Sequence, residues 1–136
     1  MFLPRTQMFK DLRQEAINDI SEIAKEETYD RGATLFDRGD PADHFYILVE
    51  GKIRLRIGGN STTDYIVANL GEAFGWSSIV GNEAYTAEAE CVEGAKCLKI
   101  DKDDLERVFD NHARSGRMFY KRLAGALGER LINIHR

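Results

Sequence analysis

The spacing of apolar and polar residues changes rhythm twice along this chain. From Phe9, the residues Leu12, Ala16, Ile17, Ile20, Ile23 and Ala24 recur at three- and four-residue steps, the period of a helix with one buried face. Thr6 stands where such a helix takes a hydroxyl cap. The pattern leaves open whether this is one helix or two, broken near Leu12 and Arg13. From Glu27 the period shortens to that of strands. Glu27–Asp30 and Ala33–Asp37 read as short strands around Arg31-Gly32. Phe45-Tyr46-Ile47-Leu48-Val49 is an unbroken apolar run, a strand covered on both faces. Ile53, Leu55 and Ile57 then alternate with Lys52, Arg54 and Arg56, one dry face and one wet. Turns are expected at Glu50-Gly51-Lys52, at the hairpin tip Gly58-Gly59-Asn60-Ser61 and at Glu93-Gly94. Thr63–Leu70, Tyr85–Val92 and Ala95–Ile100 read as further strands, with Tyr65 and Val67 on one side of theirs.

After Ile100 the helical period returns. Asp101 is placed to cap a helix, and Asp103 and Asp104 in its first turn suit the helix dipole. Leu105, Val108 and Phe109 form its apolar face. Asn111 is the expected cap of a final helix carrying Phe119, Leu123, Ala126, Leu127, Leu131 and Ile134 on one stripe. Gly116, Gly125 and Gly128 each weaken that helix by about 1 kcal/mol and permit close approach of another backbone. The order of elements predicts a mainly β fold with flanking helices, a β-roll of the double-stranded jelly-roll kind. The expected divisions are a helical segment over 1–25, the β-roll over 27–100 and two helices over 102–136, all in one domain.

Composition narrows the class. The chain has 136 residues, 43% of them apolar, enough for a real core. No apolar run approaches the ~20 residues of a membrane span. Pro4, Arg5, Lys10 and Asp11 interrupt the start, so it does not read as a signal peptide. Cys91 and Cys97 lack a paired spacing and suit a reducing compartment. A cytoplasmic protein without a membrane partner is the expectation. The net charge of −4 is uneven, because residues 111–136 hold six basic side chains against Glu129 alone. No aromatic or glycine-rich nucleic-acid motif accompanies them, so a solvated or self-packed face is expected.

Candidate chemistry concentrates in Leu70–Cys91, read as strand, glycine turn, one helical turn, loop and strand. Gly71 and Gly75 admit backbone that a Cβ would forbid. Trp76-Ser77-Ser78-Ile79 then presents its first amides, with Ser77, Ser78 and Thr86 hydroxyls nearby, as an anion cradle. His44, His112 and His135 are unpaired, no metal-ligand spacing is present, and Ser77 and Ser78 lack a histidine in a nucleophile motif. No catalytic residue is expected.

The order of these motifs resembles the cyclic nucleotide-binding domain family. Gly39-Asp40 followed by Phe45–Gly51 is similar to the family's Gly-Asp turn, Tyr-Ile strand and glycine. Gly71-Glu72-Ala73-Phe74-Gly75 resembles the lead-in to its phosphate-binding cassette, and Thr86-Ala87 the end of it. Ile100-Asp101 and the helix after it resemble the start of the hinge helices. The resemblance implies a β-roll sensing module of the catabolite-activator and kinase-regulatory-subunit kind. Its ligand-binding positions here are Phe74, Gly75, Trp76, Ser77, Ser78, Tyr85, Thr86 and Ala87, and its ligand a cyclic nucleotide, cAMP or cGMP. The cassette departs from the pattern twice. Trp76 replaces the glutamate that accepts from the ribose hydroxyl, and Tyr85 replaces the arginine that pairs with the phosphate. A charge-assisted bond to phosphate contributes roughly 1.5–3 kcal/mol, so losing that arginine weakens binding about 10- to 200-fold.

The expected function is therefore a non-enzymatic regulatory module that senses a small anionic ligand and relays it through the C-terminal helices. A homodimer through Phe119, Leu123, Ala126 and Arg130 is expected from their coiled-coil-like spacing. No helix-turn-helix is present for direct nucleic-acid binding. The alternatives are a degenerate scaffold, with Trp76 and Tyr85 filling the ligand space, and a cupin-type metal enzyme.

Overall fold

The computed structural model describes residues 8–57 and 64–134. The predicted Thr6 cap and the tip at Gly58–Ser61 lie outside them. A turn over residues 8–11 precedes helix α1, Gln14–Ile23. The long apolar stripe is thus split near Leu12 and Arg13: Phe9 is buried from the turn, while Ala16, Ile17 and Ile20 are buried from the helix. The strands are β1 (Lys25–Tyr29), β2 (Thr34–Phe36), β3 (His44–Ile57), β4 (Asp64–Val67), β5 (Ala73–Phe74) and β6 (Ala87–Asp101). Helices α2 (Lys102–Asn111) and α3 (Ala113–Ile134) complete the order.

The expected closed jelly roll is not what forms. The strands make a single open antiparallel sheet in the order β1-β6-β3-β4, with β2 also on β6 and β5 also on β3. Among the described residues the outer strands β1 and β4 are not paired with each other. With α1, α2 and α3 flanking it, this is a mixed α/β fold rather than a mainly β roll. The misreading traces to two glycines. Gly51 and Gly94 do not end strands; β3 and β6 run straight through them. Gly51 has φ +88°, and the β3–β6 register shifts on either side of it, between Leu48 and Ile53. A Cβ there would lie 2.4 Å from the Gly94 carbonyl oxygen and 2.7 Å from Ala95 Cα. Only glycine fits such a bulge.

The core sits between the sheet and the helices. Phe119 of α3 is fully buried, stacked on Phe9 and edge-on to Phe45, with Phe109 of α2 beside it. The predicted cap of α2 is in place: one Asp101 carboxylate oxygen accepts from the amides of Asp103 at 2.9 Å and Asp104 at 3.0 Å. Asn111, however, closes α2 instead of capping α3, and His112 makes the corner. His112 Nε2 lies 2.8 Å from Asp19, which ties that corner to α1. Close approach occurs at Gly116, where a Cβ would come within 2.8 Å of Phe109 Cβ. Gly125 and Gly128 face no atom within 4 Å.

Candidate functional site

The stretch that organises the site begins on β5 and turns at Gly75. Gly75 is left-handed, φ 75° and ψ 32°, which swings the chain into a single 3-10 turn at Trp76–Ser78. That turn is tight because its bonds span three residues: Ser78 donates to the Gly75 carbonyl at 3.3 Å, and Ile79 to that of Trp76 at 3.0 Å. The Ser78 hydroxyl also donates to the Gly75 carbonyl, at 2.8 Å. Both donors of Ser78 are thus spent inside the protein, contrary to the expectation of a free amide there. Ser77, nearly buried, reaches across to the far end of the loop, its Oγ 3.5 Å from Thr86 Oγ1.

The far end is anchored by Tyr85. Its ring stacks on Phe36 with centroids 3.8 Å apart. Its hydroxyl donates to the His44 carbonyl at 2.7 Å and accepts from the His44 amide at 3.1 Å. The Gly39-Asp40 turn clips the same residue, Gly39 donating to the Tyr85 carbonyl and the Tyr85 amide donating to Asp40, both at 3.0 Å. Burial pushes the Tyr85 phenol up to about 12, against a smaller opposing pull from its bond to His44. Phe36 also approaches Tyr46, which stacks on Phe74. Four rings therefore run from one end of the loop to the other. Gly75 is pinned to the same place, since a Cβ would meet Tyr46 Cδ1 at 2.9 Å and the His44 carbonyl oxygen at 3.1 Å.

The other side of the loop is open. Trp76, itself buried, lines a cavity of about 360 Å³ together with Arg122 and Ala126 of α3. Tyr65 of β4, Asn69 of the β4–β5 connection and Met8 also line it. Glu72 also lines it but is committed to the wall: it accepts from the Tyr65 hydroxyl and, at 3.3 Å each, from the amides of Ala68 and Asn69. Arg122 is paired with Asp11 at 2.5 Å. A second cavity, of about 340 Å³, lies between Ser78, Gly81 and Glu83 and the helical residues Lys102, Glu106 and Tyr120.

The eight predicted ligand positions thus fall into three groups. Trp76 faces a cavity, while Ser77, Thr86 and Ala87 cluster where the loop meets β6. Phe74, Gly75 and Tyr85 are packed into the core side, and Ser78 closes the turn. Of the predicted dimer residues, Phe119 and Leu123 are buried inside this chain, Ala126 borders the cavity, and the Arg130 side chain lies outside the described residues. Arg54 is held on the sheet by Glu90 at 3.1 Å and Asp64 at 3.7 Å, and Arg56 is exposed. Tyr65, Asn69 and Arg122 line the Trp76 cavity, and sequence reasoning did not place them there. Arg122 was visible only as part of a basic helix, and its neighbour Asp11 is 111 positions away. Among the described residues, no group of three or more His, Cys, Asp or Glu side chains is arranged to hold a metal. Both cysteines are buried, and burial raises the Cys97 thiol to about 12. No described helix is long and apolar enough to cross a membrane.

A sheet that carries a glycine-started loop opposite two terminal helices recurs in known proteins. The sequence profile of the cyclic nucleotide-binding domain matches residues 26–112. Over 115 residues the chain is 30% identical to a cGMP-dependent protein kinase of Drosophila melanogaster, isozyme 2 forms cD5/T2, covering 81% of this chain but 12% of the kinase. A crystal structure from Geobacter metallireducens, of a protein assigned to cyclic nucleotide binding, superposes with TM-score 0.83 at 27% identity over 96% of this chain and 99% of that one. The N-terminal domain of a Streptomyces coelicolor transcriptional regulator follows, with TM-score 0.73 and 26% identity over 93% and 92%. The chain belongs to the cyclic nucleotide-binding domain family.

Proposed function

We propose that the chain senses a small ring-bearing anion, a cyclic nucleotide being the first candidate, in the cavity between Trp76 and α3. The observation that carries this reading is the position of Trp76. It starts the 3-10 turn and lines the same cavity of about 360 Å³ as Arg122 and Ala126, so a guest there reaches both the loop and a terminal helix. Aromatic residues in the lining, Trp76 and Tyr65, suit a ring-bearing guest. Entry of the guest would be felt directly by α3 and, through Phe109 and Phe119, by α2.

A specific observation favours a second reading, a scaffold that binds no nucleotide. Tyr85 stands where the family's phosphate-pairing arginine would be, and its hydroxyl is bonded to both the carbonyl and the amide of His44. One experiment separates the two. Trp76 is the only tryptophan, so its fluorescence reports on this site alone. Titration with cAMP and cGMP should give a saturable change with at least one of them, and a raised melting temperature by mass action. A flat response with both, up to millimolar concentration, leaves the scaffold.

A homodimer remains part of the proposal, but through a different face of α3. Phe119 and Leu123 are spent on the core, whereas Met118 is exposed and Gly125 and Gly128 face open space. Light scattering at tens of micromolar should give twice the chain mass; Gly125→Glu should shift it toward the monomer.

A further inference from the structure

We propose that Arg122 recognises the charged end of the guest in the Trp76 cavity, and that Asp11 is the resident counter-ion this guest displaces. The inference rests on the ligand-sensing reading above and names the residue that carries it. Arg122 lines the cavity from α3, opposite Trp76 and beside Tyr65 and Asn69. Its guanidinium is held by the Asp11 carboxylate at 2.5 Å, with the two side chains 22% and 58% exposed. The carboxylate half of the pair is more than half exposed, so water and a second anion compete with it there. The guanidinium fork matches phosphate or carboxylate oxygens two at a time. The cassette itself offers no such group, because Tyr85 occupies the arginine position and faces His44. Glu72 is bound into the wall by Tyr65 and two amides, and Glu129 stands at the α3 side of the cavity. The guest therefore carries one phosphate or carboxylate together with an aromatic ring, and a hydrogen-bond donor that Glu129 can accept from.

Asp11 gives the exchange a consequence. It is the one non-glycine residue with positive φ among those described, at 71°. Aspartate tolerates that backbone better than most residues, but at a cost. The same turn places Met8 in the cavity and stacks Phe9 on Phe119. Once Arg122 turns to the guest, nothing on the side chain of Asp11 holds this turn in its left-handed form. The first turn of α1 stays tied by the Arg13 amide, which donates to Ser115 Oγ at 3.2 Å. Guest entry is thereby converted into loosening of residues 8–11 against α3.

The test compares wild type, Asp11→Asn, Arg122→Gln and Arg122→Lys, with circular dichroism melts confirming that each folds. Asparagine also accepts left-handed backbone, so the first variant keeps the turn. Trp76 fluorescence is titrated with cAMP, cGMP and inorganic phosphate. Asp11→Asn should lower the half-saturating concentration roughly two- to fivefold, the range of an exposed ion pair. Arg122→Gln should raise it about tenfold or more, and Arg122→Lys should fall between. Tryptic cleavage after Lys10 and Arg13 should quicken in wild type at saturation. Phosphate saturation that depends on Arg122, with silent nucleotides, sustains this inference and defeats the cyclic-nucleotide candidate. Nucleotide saturation that is the same in wild type and Arg122→Gln sustains the sensing reading and overturns this one. Equal half-saturation in wild type and Asp11→Asn, or unchanged cleavage at saturation, also overturns it. Silence with every probe in every variant overturns both.

Discussion

The two sides of the cassette loop are finished in opposite ways. On the sheet side Tyr85, Phe36, Tyr46 and Phe74 pack ring by ring, and the Tyr85 hydroxyl satisfies both groups of the His44 peptide. On the helix side Trp76, itself buried, lines a cavity together with Arg122, whose partner Asp11 is more than half exposed. A side that has met its own needs is a structural joint. A side whose polar groups can change partners at low cost is where a guest can act. On the reading proposed above, recognition belongs where the loop meets α3, while Tyr85 is part of the frame.

The strongest way to break that comparison is to truncate the closed side. Phe74→Ala removes a fully buried ring stacked on Tyr46 and should cost about 3–5 kcal/mol in urea denaturation. A loss below about 1 kcal/mol would mean that the rings do not frame the loop. Next comes Gly75→Ala, which forces a left-handed alanine against Tyr46 and His44; about 2–4 kcal/mol is expected. Gly81→Ala is its control: φ is also positive, +93°, but the space around it is empty, so about 1 kcal/mol is expected.

Tyr85→Phe is smaller and sharper. It keeps the stack and removes the hydroxyl from His44, for a cost of about 1–3 kcal/mol. It also tests the titration. Burial raises the Tyr85 phenol from 10.0 to about 12, so its contribution is intact below pH 10 and fades as pH climbs toward 12. Denaturation midpoints measured from pH 9 to 12 should fall less steeply in Tyr85→Phe than in wild type. The smallest effect belongs to Thr86→Ala at the exposed end of the loop, expected to stay within about 0.5 kcal/mol.

Local signals were legible in the sequence. Asp101 followed by two further acids announced a helix start, and Gly75 before a tryptophan and two serines announced a turn, because each depends on residues a few positions apart. Non-local ones were not. Gly51 and Gly94 carry the composition of turns, and what makes them a bulge is their contact with each other across β3 and β6. Expecting turns there, the sequence reading cut two long strands into four and rolled the sheet. The stripe Phe119–Leu123 has the spacing of a dimer seam, yet Phe9, Phe45 and Phe109 already cover Phe119. Periodicity shows that a face is covered but not by which chain. Tyr85 was recognised as a departure, but its direction was set by Phe36 and His44, far back in the sequence.

The backbone of His44 receives the Tyr85 hydroxyl at one end of the loop and sits 3.1 Å from where a Gly75 Cβ would be at the other. A single peptide group is thus the shared post for both ends of one span. Neither end can shift alone without disturbing that post, and the post is the first residue of β3, one of the two long strands in the middle of the sheet. Rearrangement of this loop should therefore arrive as one step shared by Gly75, Tyr85 and β3, visible as amide exchange at His44 and Tyr85 that speeds or slows together.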